Sequence, residues 1–133
     1  MDRSIEEKFV KNFIVKDKRE RILYELNSPK KRSEAIRHIC FSAYDDRYMV
    51  FEDSKISYDE LLSVVKKYIN MEKDCYVISD SGDDGKLLPF KVAFANMLES
   101  EMSYVIICGE NIALFGTEYE VPDTPCRFIL RKN

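Results

Sequence analysis

The sequence predicts an α+β domain in which N-terminal helices pack on a small mixed, mainly antiparallel sheet formed by the C-terminal half. Apolar residues recur at helical spacing through the first half of the chain, and short β-branched runs take over from about residue 75. The helical and extended segments come largely in separate blocks, the pattern of α+β rather than of repeating βαβ units. At 133 residues the chain fits one domain, 1–133. That length suffices to bury roughly two-thirds of the surface of the unfolded chain.

Each element has its own signal. Ser4 followed by Glu7 has the form of a capping box, and behind it Ile5, Phe9 and Phe13 recur every four residues. Asp17 is placed to cap a second helix striped by Ile22, Leu23 and Leu26, although one long helix through both stripes fits equally. Asn27-Ser28-Pro29 is a boundary, because proline disfavours α conformation at Ser28 and suits the first turn of a new helix. That third helix carries Ala35, Ile36, Ile39 and Cys40 on one face. Tyr44-Asp45-Asp46 reads as a turn into a strand from Arg47 to Phe51. Ser57 and Glu60 form another capping box, followed by the cleanest stripe in the chain: Tyr58, Leu61, Leu62, Val65, Tyr68 and Ile69.

The second half changes period. The runs 75–78 and 104–108 are continuous and β-branched, as in strands covered on both faces. Leu87 to Leu98, apolar nearly all round, reads as a helix packed on two sides. If the two strands pair across it, the connection is a right-handed parallel crossover. Gly109-Glu110-Asn111 is the turn of a hairpin. Cys126, Phe128 and Leu130 alternate with Arg127, Ile129 and Arg131, as in a half-exposed strand.

Composition narrows the function classes. A content of 45% hydrophobic and 34% charged residues belongs to a globular protein, not a disordered or fibrous one. No apolar run approaches the roughly 20 residues of a membrane span, and no apolar region follows the charged N-terminus as in a secretory signal. The expected location is therefore cytoplasmic, with no membrane partner. Cys40, Cys75, Cys108 and Cys126 are unclustered and sit in apolar stretches, so they read as small hydrophobes rather than as a disulfide framework or a zinc site. No motif for a nucleotide, a metal or another cofactor is present.

Four features could carry chemistry. The loop Asp80-Ser81-Gly82-Asp83-Asp84-Gly85-Lys86 holds three carboxylates between a predicted strand and a predicted helix. It matches three positions of a calcium-binding EF-hand loop, but Lys91 stands where the closing glutamate belongs. Its acids also repel a phosphate, so it reads first as a polar turn. The single histidine, His38, lies two residues from Cys40, too close along a helix for the two to face each other. Lys16, Lys18, Arg19, Arg21, Lys30, Lys31, Arg32 and Arg37 form a basic patch, but Glu20, Glu25 and Glu34 interrupt it. Finally, the proline-bearing stretch 116–125 sets Tyr119 between Glu118 and Glu120.

The charge of −3 is unevenly spread. Residues 1–73 hold 16 basic against 14 acidic side chains, a balance of +2, and residues 74–133 hold 5 against 10, a balance of −5. The expected function is a non-catalytic protein-binding domain that docks a basic protein through Asp80, Asp83, Asp84, Glu118, Tyr119 and Glu120. Its sharpest form is an immunity-type protein neutralising a basic toxin or enzyme, with complementary charge speeding encounter. A second copy of the chain is also admitted as a partner. The alternatives are a small hydrolase or transferase using the Asp80–Asp84 loop and a nucleic-acid-binding regulator using the basic helices, the nucleic acid being the less favoured partner in an acidic chain.

Overall fold

In the computed structural model, residues 1–53, 58–100, 102–117 and 127–132 are described. Helix α1 (Arg3–Phe13) begins not at Ser4 but at Asp2, whose carboxylate accepts the backbone N–H of Ile5 at 3.2 Å. Its buried stripe is Glu6, Phe9, Val10 and Phe13. The helix ends because Ile14 and Val15 find non-local backbone partners: Ile14 bridges Tyr44, and Val15 N–H donates to Ala43 O at 2.9 Å. The two apolar stripes are therefore separate helices. Asp17 lies in a 3-10 turn (Lys16–Lys18), and α2 (Arg19–Leu26) starts behind it with no side-chain cap. Pro29 falls in the connecting turn, and α3 (Arg32–His38) starts three residues later than the proline implies. It runs into a π-helical turn, Ile39–Ala43, that buries Ile39 and Cys40.

Strand β1 (Met49–Asp53) begins two residues after the expected start, because Asp45 caps a 3-10 turn over Asp46–Tyr48. Helix α4 (Tyr58–Tyr68) buries Leu61 and Val65, with Ile69 just beyond its end; the proposed cap Ser57 lies outside the described residues. Then follow β2 (Asp74–Ser79), β3 (Leu87–Pro89), α5 (Phe90–Glu99), β4 (Tyr104–Ile107), β5 (Ile112–Gly116) and β6 (Arg127–Arg131). The described strands form one sheet in the order β1-β6-β5-β4-β2-β3, with every pairing antiparallel.

The expected parallel crossover does not form. Leu87–Pro89, expected as helix, instead pairs back on β2 with Leu88 opposite Cys75. This extra reversal turns β4 antiparallel to β2. Pro89 is tolerated there because it sits on the sheet edge, where no ladder partner needs its missing N–H, and it opens α5. The expected hairpin at Gly109 does form, with Cys108 N–H donating to Ile112 O at 3.1 Å.

Helices cover both faces of the sheet. The α1–α3 layer packs on Tyr76, Ile78, Val105, Ile107, Ala113, Phe115, Phe128 and Leu130. The α4–α5 layer packs on Cys75, Val77, Tyr104, Ile106, Cys108, Leu114 and Ile129. This double cover overturns the half-exposed reading of β6, where Phe128, Ile129 and Leu130 are all fully buried. Helix α5 buries one face, through Phe90, Ala93, Phe94 and Met97, and leaves Val92 in solvent, so it is not packed on two sides. On the first face Phe115 and Phe128 stack at 4.6 Å, and Tyr44 lies 4.4 Å from Phe128. Burying such side chains contributes about 1.5–3 kcal/mol each.

Candidate functional site

The acidic loop joins β2 to β3. Gly85, at φ +78, supplies the left-handed residue that lets its N–H return to Val77 O at 2.8 Å. Each of its three carboxylates has an internal partner. Asp80 accepts the Ser33 hydroxyl at 2.8 Å. Asp83 accepts the Tyr104 hydroxyl at 2.6 Å and the Asn96 amide at 2.9 Å. Burial, and this bond to Asp83, raise the Tyr104 phenol well above its ordinary value, so it stays a donor. Asp84 turns inward to the Arg32 guanidinium, with contacts of 2.6 and 2.9 Å, and to Ser79 N–H at 3.1 Å. The three acids thus share one end of the sheet and tie it to α3 and α5. Glu118, Tyr119 and Glu120 lie outside the described residues. Among the described residues no group of three metal-ligating side chains converges.

Arg32, read from sequence as part of the basic patch, is instead the centre of a buried network. Its Nη1 and Nη2 grip Glu6 at 2.8 and 2.7 Å, and Nη1 also reaches Leu26 O at 3.0 Å. Tyr76 donates to the same carboxylate at 2.6 Å and accepts Asp2 N–H at 2.9 Å. Burial by itself disfavours the charged form of Arg32, but the bonds to Glu6 and Asp84 together outweigh it and hold the guanidinium protonated. Sequence reading missed this network. The available signal was Glu6 itself, a charge on the apolar stripe of α1. Other members of the patch are also engaged: Arg21 lies 3.3 Å from the buried Glu25, and Lys31 lies over the Tyr24 ring. His38 is half-exposed and stands 4.0 Å from Glu25, a partner that is not a nucleophile.

Close to the network lies a groove of about 250 Å³ between α1 and the sheet. Leu87, Tyr76 and Ile107 form one row across β3, β2 and β4 and make its floor. Ile5, Phe9 and Phe13 of α1 form the opposite wall. Leu87, on the edge strand β3, is 64% exposed. Lys8, Asp74 and Glu110 rim the groove. Lys8 bonds Glu110 at 3.4 Å, and Asn12 donates to Glu110 O at 2.7 Å, closing one end. Among the described residues Asp74 makes no ion pair.

Among the described residues the groove is lined by no serine, cysteine or histidine, and the Tyr76 hydroxyl is already occupied. Its volume falls below the roughly 300–1,000 Å³ of small-molecule sites but accommodates one large apolar side chain. Comparison with protein-family models, with curated proteins and with solved structures finds no match to this chain.

Proposed function

We propose that this chain is a non-catalytic protein-binding domain that seats an apolar side chain of its partner in the groove between α1 and the sheet. The carrying observation is the exposed Leu87 at the edge of an apolar groove, beside Asp74, an acid with no counter-ion among the described residues. That combination selects a leucine- or phenylalanine-like anchor next to a lysine or arginine, and hence a basic partner. The −5 balance of residues 74–133 supports the same sign of charge, and an immunity-type role toward a basic toxin or enzyme is its most specific form. We prefer it to hydrolase or transferase chemistry at Asp80–Asp84, where all three carboxylates accept hydrogen bonds from within the chain. We prefer it also to nucleic-acid binding, since Arg32 is withdrawn from the basic patch.

Selection of displayed random peptides on the immobilised chain tests the proposal. We expect enriched peptides to share an apolar residue adjacent to Lys or Arg. Placing a charge under that anchor forfeits burial of about 1.5–3 kcal/mol, so Leu87→Asp should weaken binding roughly tenfold or more. Asp74→Lys should select against the basic neighbour. Peptides that bind Leu87→Asp as tightly as the parent chain, or enrichment with no apolar anchor, would overturn the assignment.

A further inference from the structure

We propose that Cys75 and Cys108 form a redox-active dithiol that closes, reversibly, into a disulfide across β2 and β4. The register sets the pair. Tyr76 opposes Ile107 in this antiparallel ladder, so the next residues outward, Cys75 and Cys108, oppose each other and point to the α4–α5 face. Both thiols are free.

The backbone bonds decide which kind of pair this is. Cys108 donates its N–H to Ile112 O, so its main-chain groups point at β5 and away from β2. On the other strand Val77 donates to Lys86 O, and Cys75, two residues earlier, has its groups directed likewise toward β3. Asp80 N–H bonds Ser103 O, and counting back in steps of two from that position again leaves 75 and 108 unbonded to each other. They therefore occupy a non-hydrogen-bonded position, where opposed Cα atoms approach to about 4.5 Å. Disulfides span Cα separations of roughly 4.4–6.8 Å, so the bond needs no change of register. Hydrogen-bonded positions lie farther apart. The two thiols are close enough to act on each other: the neighbouring Cys108 sulfur lowers Cys75 below the ordinary thiol value, and Cys75 together with burial raises Cys108 above it. With its S–H intact, each sulfur can turn to a strand carbonyl, Cys75 to Lys73 O at 3.8 Å and Cys108 to Ile106 O at 3.5 Å.

We take a small peroxide as the oxidant and Cys75 as the first thiol to react. The Cys75 thiolate attacks a peroxide oxygen; the O–O bond breaks, hydroxide leaves and takes a proton to become water, and Cys75 becomes a sulfenic acid. The Cys108 sulfur then attacks the Cys75 sulfur and displaces hydroxide, which takes up the Cys108 proton as a second water. Two thiols and one hydrogen peroxide give one disulfide and two waters, with two electrons passing from sulfur to oxygen. Exposures of 1% for Cys75 and 8% for Cys108 restrict the oxidant to one of this size. The inference is independent of the groove, which lies on the opposite face of the same strands.

The test uses the full reduced chain. After treatment with hydrogen peroxide and removal of the oxidant, unfolding, alkylation and proteolytic mapping by mass spectrometry should find the Cys75 and Cys108 peptides joined, about 2 Da lighter than their sum. Dithiothreitol should separate them. Cys40→Ser with Cys126→Ser should leave the cross-link intact. In Cys108→Ala, dimedone should label Cys75 after peroxide, whereas in Cys75→Ala Cys108 should react more slowly. The parent chain supplies the main result, so poor folding of a variant does not touch it. Two alkylable thiols at 75 and 108 after peroxide, a link to another cysteine, or a link that appears only in urea would each overturn the proposal.

Discussion

Replacing Arg32 with methionine keeps most of the side chain's length and apolar stem but deletes the guanidinium. Five hydrogen bonds vanish, two to Glu6, two to Asp84 and one to Leu26 O. Glu6, 2% exposed, is left buried with only the Tyr76 hydroxyl, while Asp84 retains Ser79 N–H and partial access to water. The dominant cost is thus one desolvated carboxylate without a cation. Breaking a buried pair in this way costs about 3–5 kcal/mol, against a total stability of roughly 5–15 kcal/mol. With a urea dependence of about 2 kcal/mol per molar, the unfolding midpoint should fall by about 2 M with unchanged slope. Adding Glu6→Gln removes the stranded charge while keeping an oxygen for Tyr76, and the double variant should recover roughly 1–2 kcal/mol over Arg32→Met alone. Urea titrations by circular dichroism, completed as a double-mutant cycle, give both numbers. If Arg32→Met costs less than about 1 kcal/mol, or the double variant is no more stable than the single, then Glu6 is not held in a dry environment and the network does not fasten the helices to the sheet.

Two further outcomes follow from the polar contacts. Tyr104→Phe removes one of the two donors to Asp83 without changing the ring, and should destabilise the chain by about 1–2 kcal/mol in thermal or chemical unfolding, since Asp83 keeps Asn96 and reaches water. An unchanged midpoint would mean that this bond is not held in solution. Asp45 is kept below the ordinary aspartate value, chiefly by its hydrogen bonds from Arg47 and in spite of its burial. A depressed folded value contributes stability that is fully present above the ordinary aspartate range and is lost as pH falls through the folded value. The stability advantage of the parent chain over Asp45→Asn should therefore be constant from pH 7 to about 5 and shrink as pH is lowered below about 4. A difference that grows toward acid would contradict the assignment.

Most elements of this fold were legible because their signals are local. The stripe of α4, the α3 face through Cys40, the β-branched runs of β2 and β4 and the turn at Gly109 are properties of adjacent residues. A short window of sequence holds all the information that periodicity needs. The misread segments are those whose fate a distant partner decided. Ile14 and Val15 left the helix for Ala43 and Tyr44, and Leu87–Pro89 left theirs for β2. The acidic loop was visible as a cluster, but its carboxylates were not visible as acceptors for Ser33, Tyr104 and Arg32.

By itself, then, the sequence determined the α+β class, most helix and strand positions, the single acidic loop and the uneven charge. Tertiary structure alone decided that the described strands pair antiparallel throughout and that the two-sided cover expected for β2 and β4 extends to β6. It alone brought Glu6, Arg32, Tyr76 and Asp84 into one network, opened the groove beside Leu87, and set Cys75 against Cys108. The physical reason is that periodicity is carried by the chain's own covalent neighbours, whereas strand register and buried ion pairs join groups tens of residues apart. Their energies exist only once the sheet has closed and water has left.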